Sequence, residues 1–327
     1  MNRVLVTGGA GYIGSHACKY LRQSGKEPVS FDSLSTGWEQ AVKFGPFERG
    51  DLLDREHLDR VFAKYKPDTV MHFAALAQVG ESYENPGLYW QNNVLGSLNL
   101  IEAAVAAGCK DIVFSSTCAV YGDQDDVLLD EDCQLFPTNA YASSKRAIEE
   151  ILRDFGSSHG LRYTIFRYFN VAGADPEGEI GEFHRPETHL VPIILDALTG
   201  KRDAVTIHGT DYPTPDGTGI RDYVHVVDLV KAHLLGMEWL KDGKPSRVFN
   251  LGTGHGFSVR DVVEKARQIT KGTINVVEGP RRGGDCAKLV SGSRRAETEL
   301  GWKPERSNLE DMIRDAWQWH QLPGYDR

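Results

Sequence analysis

Residues 4–14 have the sequence VLVTGGAGYIG, an apolar run followed at once by a glycine-rich turn. The run predicts a buried strand, and the spacing of Gly8, Gly11 and Gly14 predicts a tight turn that opens a helix. Glycines at such a junction let the backbone approach the pyrophosphate of a dinucleotide at the helix N-terminus. An ordinary glycine-rich turn is the alternative, but its position at the first strand–helix junction favours a nucleotide site.

Short apolar strands alternate with helical segments through the first half of the chain. This alternation predicts an α/β fold with a doubly wound parallel sheet of the Rossmann type, in which ligands lie beyond the carboxyl ends of the strands. We expect strands at residues 4–7, 28–32, 69–73, 112–115 and 163–169, and helices at 13–23, 53–65, 89–107 and 141–157.

Beyond residue 172 the pattern changes to a stretch rich in Gly, Pro, Glu and His, followed by short elements and turns. We therefore predict a nucleotide-binding domain over residues 1–172, to which residues 222–251 return. Residues 173–221 and 252–327 would form a smaller α/β domain that binds the substrate.

A tyrosine and a lysine four residues apart, Tyr141 and Lys145, follow the hydroxyl run, which is Ser115-Ser116-Thr117. At this spacing both side chains lie on one face of a helix. A tyrosine loses its proton near pH ~10, and a nearby ammonium favours the phenolate, which makes it a usable base. Such a pair also occurs by chance, as an interface aromatic and a solvated charge. Behind a nucleotide turn, the three residues indicate hydride chemistry on a hydroxyl or carbonyl, with nicotinamide as carrier.

An acidic residue, Asp32, ends the second predicted strand. A carboxylate there accepts hydrogen bonds from the ribose hydroxyls and repels a 2′-phosphate, so NAD is favoured over NADP. The alternative is an Asp that caps the turn at residues 33–35. Asp51 and Leu52, after the third strand, are weaker candidates for contacts with the adenine.

The composition is that of an ordinary globular protein, with 40% hydrophobic and 25% charged residues. The net charge of -9, without a strongly basic block, argues against nucleic acid as a partner. The five cysteines are scattered and form no Cys-x-x-Cys pair, which is typical of a reducing compartment. We see neither a leader nor an apolar run of about 18 residues, so we expect a cytoplasmic protein with no membrane partner.

The chain resembles the extended short-chain dehydrogenase/reductase family over nearly its whole length, and within it the group of UDP-glucose (UDP-galactose) 4-epimerases. The motifs that carry the resemblance are VTGGAGYIGSH at 6–16, HFAA at 72–75, VGES at 79–82, SSTCAVYG at 115–122, YASSK at 141–145, RYFN at 167–170, GTDYPT at 209–214, RDYVHV at 221–226 and RRGGD at 281–285.

The resemblance implies a UDP-sugar epimerase with tightly held NAD. Tyr141 would take the proton of the sugar 4-hydroxyl while the C4 hydride passes to the nicotinamide. The 4-keto sugar would then turn and receive the hydride on its other face. Lys145 would hold the nicotinamide ribose and favour the phenolate of Tyr141, and Thr117 would hydrogen-bond the 4-oxygen. A homodimer is also implied, with helices around residues 92–107 and 141–157 paired across a two-fold axis.

Family positions also imply the ligand contacts. The residues expected to bind the cofactor are Gly8, Gly11, Tyr12, Ile13, Gly14, Asp32, Ser33, Asp51, Leu52, Phe73, Ala74, Ala75, Asn92, Lys145 and Phe169. Those expected to bind the UDP-sugar are Thr117, Tyr141, Asn170, His189, Leu190, His208, Arg221, Arg282 and Asp285. Two arginines suit a diphosphate because a guanidinium binds its oxygens bidentately, although a surface ion pair is the commoner role of an arginine.

Sister enzymes on this scaffold differ at the two residues after Thr117. Dehydratases have Asp and Glu there, and decarboxylases have Glu at the second position. Here these positions are Cys118 and Ala119. Ala119 cannot do acid/base work and Cys118 does not replace the Asp, so plain epimerisation is favoured. A reductase that releases its cofactor remains an alternative, whereas a non-catalytic NAD sensor would predict loss of Tyr141 or Lys145.

Several positions depart from the family pattern. Ala77 stands where a lysine often lies near the NAD diphosphate, and His189 and His208 replace residues that are more often Asn and Phe. Leu289 stands at a gate where Tyr restricts the sugar and a small residue admits N-acetylated sugars. The segment at residues 186–192 is similar to a branch that includes pentose epimerases, so UDP-pentose (UDP-arabinose or UDP-xylose) and UDP-N-acetylhexosamine stay open.

Two histidines and a glutamate, His184, Glu187 and His189, lie close together in sequence. Their spacing matches no standard metal site, and the expected hydride chemistry needs no Lewis acid. The sequence therefore predicts no metal.

Overall fold

The computed structural model describes residues 3–124, 128–283 and 285–325, so Gly284 of the motif at 281–285 lies outside the described residues. The strands are β1 Arg3–Thr7, β2 Glu27–Asp32, β3 Phe47–Arg49, β4 Thr69–His72, β5 Asp111–Ser115, β6 Arg162–Tyr168, β7 Asn170–Ala172, β8 Val205–His208, β9 Ile220–His225, β10 Arg247–Leu251, β11 Gly256–Ser258, β12 Val276–Gly279 and β13 Lys288–Leu289. The helices are α1 Tyr12–Gln23, α2 Arg55–Tyr65, α3 Val79–Glu84, α4 Pro86–Tyr89, α5 Gly96–Ala106, α6 Ala140–His159, α7 Leu190–Leu198, α8 Val226–Lys241, α9 Val259–Thr270, α10 Arg295–Thr298 and α11 Leu309–His320.

Seven strands form one sheet in the order β10-β6-β5-β4-β1-β2-β3, and every neighbouring pair is parallel. The predicted doubly wound α/β fold is confirmed. The chain runs outward from β1 to β3 and then crosses back to β4 on the other side of β1. The order therefore reverses between β1 and β4, and a crevice at the carboxyl ends of these strands is where such sheets bind ligands.

Both faces of this sheet are buried. Successive residues of β1 alternate between two apolar clusters, because side chains along a strand point to opposite faces. Leu5 packs with Leu58, Leu100 and other residues of α2, α5 and α6. Val6 lies in the cluster that contains Leu229 of α8, on the opposite face. Helices on both faces explain why the central strands β1, β4 and β5 are buried almost throughout.

The remaining strands form two smaller sheets. β11, β9 and β13 are hydrogen-bonded in that order with β7 beside β9, and β8 pairs with β12. A third apolar cluster joins α7, α9 and α11 to them. The segment of residues 222–251 divides between the sheets, because Asp222–His225 belongs to β9 while β10 lies beside β6 in the large sheet. The domain limits stay a prediction.

Two predicted helices differ in their details. The single helix expected over residues 89–107 is interrupted by a π-helical turn at Trp90–Leu95, between α4 and α5, and this wider turn holds Asn93 in the interior. The helix expected from residue 53 begins at Arg55, because the carboxylate of Asp54 accepts a hydrogen bond from the N–H of His57 and caps it. Among the described residues, no helix is long and apolar enough to cross a membrane.

Candidate active site

A cavity of about 830 Å³ opens at the carboxyl edge of the large sheet. Its wall combines residues from the large sheet with residues from β7, β8, β9 and α7. Every residue that the sequence analysis named for the cofactor, the substrate or catalysis lines this one cavity, as do Ala77 and Leu289. The structure thus brings together residues that are more than 270 positions apart, such as Gly8 and Asp285. Their individual roles stay a proposal.

The glycine turn closes tightly between β1 and α1. Gly8 adopts φ +73°, a conformation that favours glycine, and a Cβ on Gly14 would lie 2.0 Å from the Gly8 carbonyl oxygen. Among the described residues, no side chain caps the N-terminus of α1, whose Ncap residue is Gly11. First-turn N–H groups without such a cap suit the pyrophosphate of a dinucleotide, so the turn fits the predicted cofactor.

The carboxylate of Asp32 lies almost buried at the end of β2. It accepts hydrogen bonds from the N–H of Ala10 at 3.0 Å and from the N–H of Leu34 at 2.8 Å. Burial raises the pKa of this carboxyl, while the two hydrogen bonds act in the opposite direction. Asp32 therefore orders both the glycine turn and the next turn, and it also lines the cavity where a ribose is expected.

Thr117 and Tyr141 are each placed by the start of a helical segment. Thr117 follows β5, and its Oγ1 caps a short 3₁₀ turn by accepting from the N–H of Ala119 at 3.1 Å. Tyr141 lies in the first turn of α6, which Asn139 caps by accepting from the N–H of Ala142 at 2.8 Å. Tyr141 is 7% exposed, and its ring lies beside that of Tyr89, with the ring centroids 6.5 Å apart.

Lys145 lies one turn further along α6 and is buried. Its Nζ donates to the carbonyl oxygen of Ser115 at 2.8 Å and lies 4.9 Å from the centroid of the Phe114 ring. Burial lowers the pKa of this lysine to about 7. The amino group is therefore held at the end of β5 by the carbonyl of Ser115, two residues before Thr117.

The protonation of Tyr141 differs from the simplest expectation. Burial, together with the nearby Tyr168, raises the pKa of Tyr141, and its interaction with Thr117 lowers the pKa by less. Lys145 was expected to favour the phenolate, but it donates to Ser115 and is not among the main causes of the shift. In this arrangement of protein groups alone, Tyr141 holds its proton.

Asn93 is a positioning residue that the sequence analysis missed. Its side-chain amide accepts from the N–H of Leu76 at 2.8 Å and donates to the Leu76 carbonyl oxygen at 3.0 Å and to Ser144 Oγ at 3.0 Å. These bonds tie the loop after β4 to the helix that carries Tyr141 and Lys145. An asparagine inside an apolar helix was the available signal, but no periodicity shows that a π turn aims it inward.

A buried ion pair between Glu149 and Arg167 is hydrogen-bonded to the hydroxyl run through Ser116. Glu149 accepts from Arg167 through both carboxylate oxygens, at 3.0 and 2.6 Å, and from Ser116 Oγ at 2.6 Å. Arg167 also donates to the hydroxyl of Tyr121 at 3.1 Å. The network links β6 and α6 to the segment around Thr117, and the sequence analysis gave neither charged residue a role.

The opposite end of the cavity is rich in charge. Asp285 accepts from Arg282 at 2.9 Å, and its other oxygen lies 3.9 Å from a guanidinium nitrogen of Arg221. Both arginines line the cavity together with His208 and Asn170. One carboxylate between two guanidinium groups leaves donors available for an anionic ligand such as a diphosphate.

Four side chains of the segment before α7 also meet, and three of them, Glu182, His184 and His189, line the cavity. Glu182, His184, Glu187 and His189 each offer an atom within 4.8 Å of the others. The carboxylates, Glu182 first, raise the pKa of His184 to about 10 against the effect of burial. The sequence analysis had considered the two histidines and Glu187 but not Glu182, because the meeting depends on how the segment folds.

Comparisons with known proteins agree with this site. Residues 4–252 match the pattern of the NAD dependent epimerase/dehydratase family. A UDP-glucose 4-epimerase of Rhizobium meliloti (strain 1021) is 47% identical over 319 residues, which cover 98% of this chain and 97% of that protein.

Two solved structures are similar over almost their full lengths. A UDP-glucose 4-epimerase from Brucella ovis in complex with NAD is 44% identical with a TM-score of 0.94, covering 97% of this chain and 98% of that one. A UDP-glucose-4-epimerase from Stenotrophomonas maltophila, with bound NAD and formylated UDP-arabinopyranose, is 39% identical with a TM-score of 0.94, covering 98% of both chains. The chain belongs to the NAD dependent epimerase/dehydratase family.

Proposed function

We propose that this protein is an enzyme that interconverts UDP-glucose and UDP-galactose, a reaction of galactose metabolism, by epimerisation at C4 with NAD as cofactor. The observation that carries the proposal is the meeting of Thr117, Tyr141 and Lys145 in one cavity with the glycine turn and Asp32. The similar proteins named UDP-glucose 4-epimerase support it, since they match the chain almost from end to end.

Three side chains act in the proton transfer at the sugar 4-hydroxyl. Tyr141 Oη takes the proton as the sugar is oxidised and gives it back as the sugar is reduced. Thr117 Oγ1 hydrogen-bonds the sugar 4-oxygen and keeps it within reach of the phenol. Lys145 holds the cofactor ribose and, once its ammonium faces the phenol, favours the phenolate.

The first domain holds the cofactor. We assign residues 1–172 with 222–251 to NAD, with the pyrophosphate at the N-terminus of α1 and the adenosine ribose at Asp32. When bound, NAD accepts the C4 hydrogen with its electron pair and returns it, so the reaction has no net redox change. Phe73, Ala74 and Ala75 enclose the other side of the crevice between β1 and β4.

The second domain, residues 173–221 and 252–327, binds the UDP. Arg221 and Arg282 bind the diphosphate, while His189, Leu190, His208 and Asp285 of this domain and Asn170 of the first domain complete the wall. Anchoring the nucleotide at this charged end leaves the sugar free to present either face to Tyr141. The keto sugar stays enclosed between the two half-reactions.

The residues after Thr117 oppose elimination or decarboxylation. Cys118 is buried, and burial raises the pKa of its thiol, so it is a poor proton donor or acceptor near neutrality. Ala119 has no titratable group. A net oxidoreductase on another nucleotide sugar is the more distant alternative, and turnover without added NAD distinguishes it.

UDP-pentose epimerisation is the second candidate. It is favoured by the Stenotrophomonas structure, which holds formylated UDP-arabinopyranose at 98% coverage of this chain. Leu289 at the sugar end of the cavity is intermediate in size, so it does not decide between hexose and pentose, and N-acetylated hexoses form a third substrate class.

We also propose a homodimer that works in the cytoplasm. Large apolar side chains are exposed along residues 79–95, namely Val79, Tyr83, Leu88, Trp90 and Leu95. An apolar patch of this kind beside α5 and α6 suits a two-fold interface. The five free cysteines suit a reducing compartment.

The test is conversion of UDP-galactose to UDP-glucose by the purified protein without added NAD, with UDP-arabinose run beside it. Conversion of the hexose at the higher kcat/KM supports the proposal, and a higher kcat/KM for the pentose supports the second candidate. Failure with both substrates even after NAD is supplied would refute epimerisation of these sugars.

A further inference from the structure

Glu182, His184, Glu187 and His189 form a compact group, which we call the Glu–His cluster, on the segment between β7 and α7. We propose that the Glu–His cluster binds one divalent transition-metal ion of the zinc class. Neither the epimerase chemistry nor the spacing of these residues in the sequence calls for a metal. The proposal therefore departs from the prediction made above and rests on the geometry of the four side chains.

Three of the distances between ligand atoms are close to those of a tetrahedral site. His184 Nδ1 lies 3.4 Å from Glu182 Oε1 and 3.6 Å from Glu187 Oε2, and His189 Nδ1 lies 3.7 Å from Glu187 Oε1. With bonds of about 2.0–2.1 Å, neighbouring ligand atoms around zinc lie about 3.3 Å apart. The fourth contact, His189 Nδ1 to Glu182 Oε1 at 2.6 Å, is a hydrogen bond that an entering ion would replace.

One nitrogen of the cluster is poorly satisfied without an ion. His184 Nδ1 is buried and has no hydrogen-bond partner within the part of the chain that the structure describes, although two carboxylates lie near it. Imidazole nitrogens and carboxylate oxygens are zinc ligands, and two carboxylates balance the charge of a divalent ion. Ion pairs between protonated histidines and glutamates are the metal-free alternative.

A nearby group of three carboxylates differs from the Glu–His cluster because it already contains a lysine cation. Asp175, Glu177 and Glu179 also cluster, but Lys19 Nζ lies 2.8, 2.6 and 2.6 Å from their oxygens. That group already contains its cation. It therefore carries no metal proposal and serves as an internal control.

The backbone at residues 182–183, beside His184, is fixed by two tryptophan side chains. Trp319 Nε1 donates to the carbonyl oxygen of Glu182 at 2.9 Å, and Trp38 Nε1 donates to that of Phe183 at 2.9 Å. A fixed backbone lowers the cost of ordering the ligands. The ion would join residues 182–184 to 187–189 and so hold the wall that leads to Leu190, apart from the proton transfer at Tyr141.

Metal content is measured on the full-length protein with its affinity tag removed. After dialysis against a chelator, the protein is equilibrated with Zn²⁺, freed of unbound ion and analysed for bound zinc. We expect about one ion per chain in the wild type and at least a tenfold lower content in His184→Ala. The controls His255→Ala, which removes an exposed histidine, and Glu177→Gln, in the lysine-filled group, should keep the wild-type content.

Equal zinc content in the wild type and His184→Ala, or no retained zinc in the wild type, would overturn the proposal. Circular dichroism verifies that each variant is folded, and Glu187→Gln replaces His184→Ala if the latter is not. Cobalt substitution of the wild type is an independent measurement. Intense visible bands of a tetrahedral Co²⁺ site support the proposal, and the weak bands of hydrated Co²⁺ contradict it.

Discussion

At the scale of single residues, Tyr141 is the group on which the proposed reaction depends most directly. Its phenol is buried at the start of α6 and lines the cavity beside Thr117. Tyr141→Phe keeps the ring and its packing but removes the atom that carries the proton. We expect kcat to fall by about 10²–10⁴-fold, with NAD still bound.

The measurement is the rate of UDP-galactose conversion, together with the nucleotide content of the purified variant. Tyr163→Phe is the matched control, because this half-buried tyrosine lies in β6 and not among the cavity residues. A Tyr141→Phe variant with the wild-type rate would disprove the assigned role.

We expect the buried Lys145 to lower the free energy of unfolding of this protein near neutral pH. Burial lowers its pKa from 10.5 to about 7, so between these values the unfolded chain binds more protons than the folded one. The contribution of Lys145 to the free energy of unfolding then rises with pH across this window, by about 1.4 kcal/mol per pH unit at most. Lys145→Met removes the cost of burying this titratable group, so we expect the variant to melt at a higher temperature. It should also be inactive, because it lacks the amine that serves the cofactor and Tyr141.

The difference in Tm between Lys145→Met and the wild type, both freed of nucleotide, should be largest at pH 7 and smaller at pH 9. Lys303→Met, at an exposed position, supplies the baseline. A difference that stays constant over this range would show that the lysine is solvated in the folded protein.

At the scale of elements, the junction of β1 and α1 leaves little room for any residue other than glycine. A Cβ on Gly14 would lie 2.0 Å from the Gly8 carbonyl oxygen, a backbone atom of the turn that cannot move aside as a flexible side chain could. Gly14→Ala should therefore displace α1, destabilise the protein by about 1–3 kcal/mol and abolish NAD retention.

Chemical denaturation and the nucleotide content of the purified protein measure both effects. Gly87→Ala is the control, since a Cβ on this helical glycine of α4 meets nothing within 4 Å. If Gly14→Ala retains nucleotide as well as Gly87→Ala does, the close approach at the turn is unnecessary for cofactor binding.

At the scale of the whole molecule, the proposed dimer makes use of the exposed apolar side chains near α5. Leu95 is 46% exposed at the end of the π-helical turn, which is unfavourable for a side chain left in water. Leu95→Arg should turn a dimer into a monomer, because a charge would be buried at the interface. Light scattering coupled to size-exclusion chromatography reports the mass.

Val277→Arg provides the comparison, because Val277 is 47% exposed on β12, outside the proposed interface. The control should keep the wild-type mass. A Leu95→Arg variant that is still dimeric would move the interface away from this surface.

Local signals in the sequence determined much of this architecture. Alternation of apolar strands and helices predicted the parallel sheet, and the glycine spacing placed the tight turn between β1 and α1. The Tyr141–Lys145 spacing put both side chains on one helix. These features depend on residues within a few positions of each other, so periodicity and turn chemistry suffice to find them.

Only the tertiary structure decided how these pieces meet. The π turn that aims Asn93 at Leu76, the Glu149–Arg167 pair under the hydroxyl run, and Glu182 beside His184 and His189 leave no periodic trace. The protonation of Tyr141 also depended on burial and on where Lys145 donates. The reason is physical, since packing between distant segments sets desolvation and side-chain contacts, and sequence spacing carries neither.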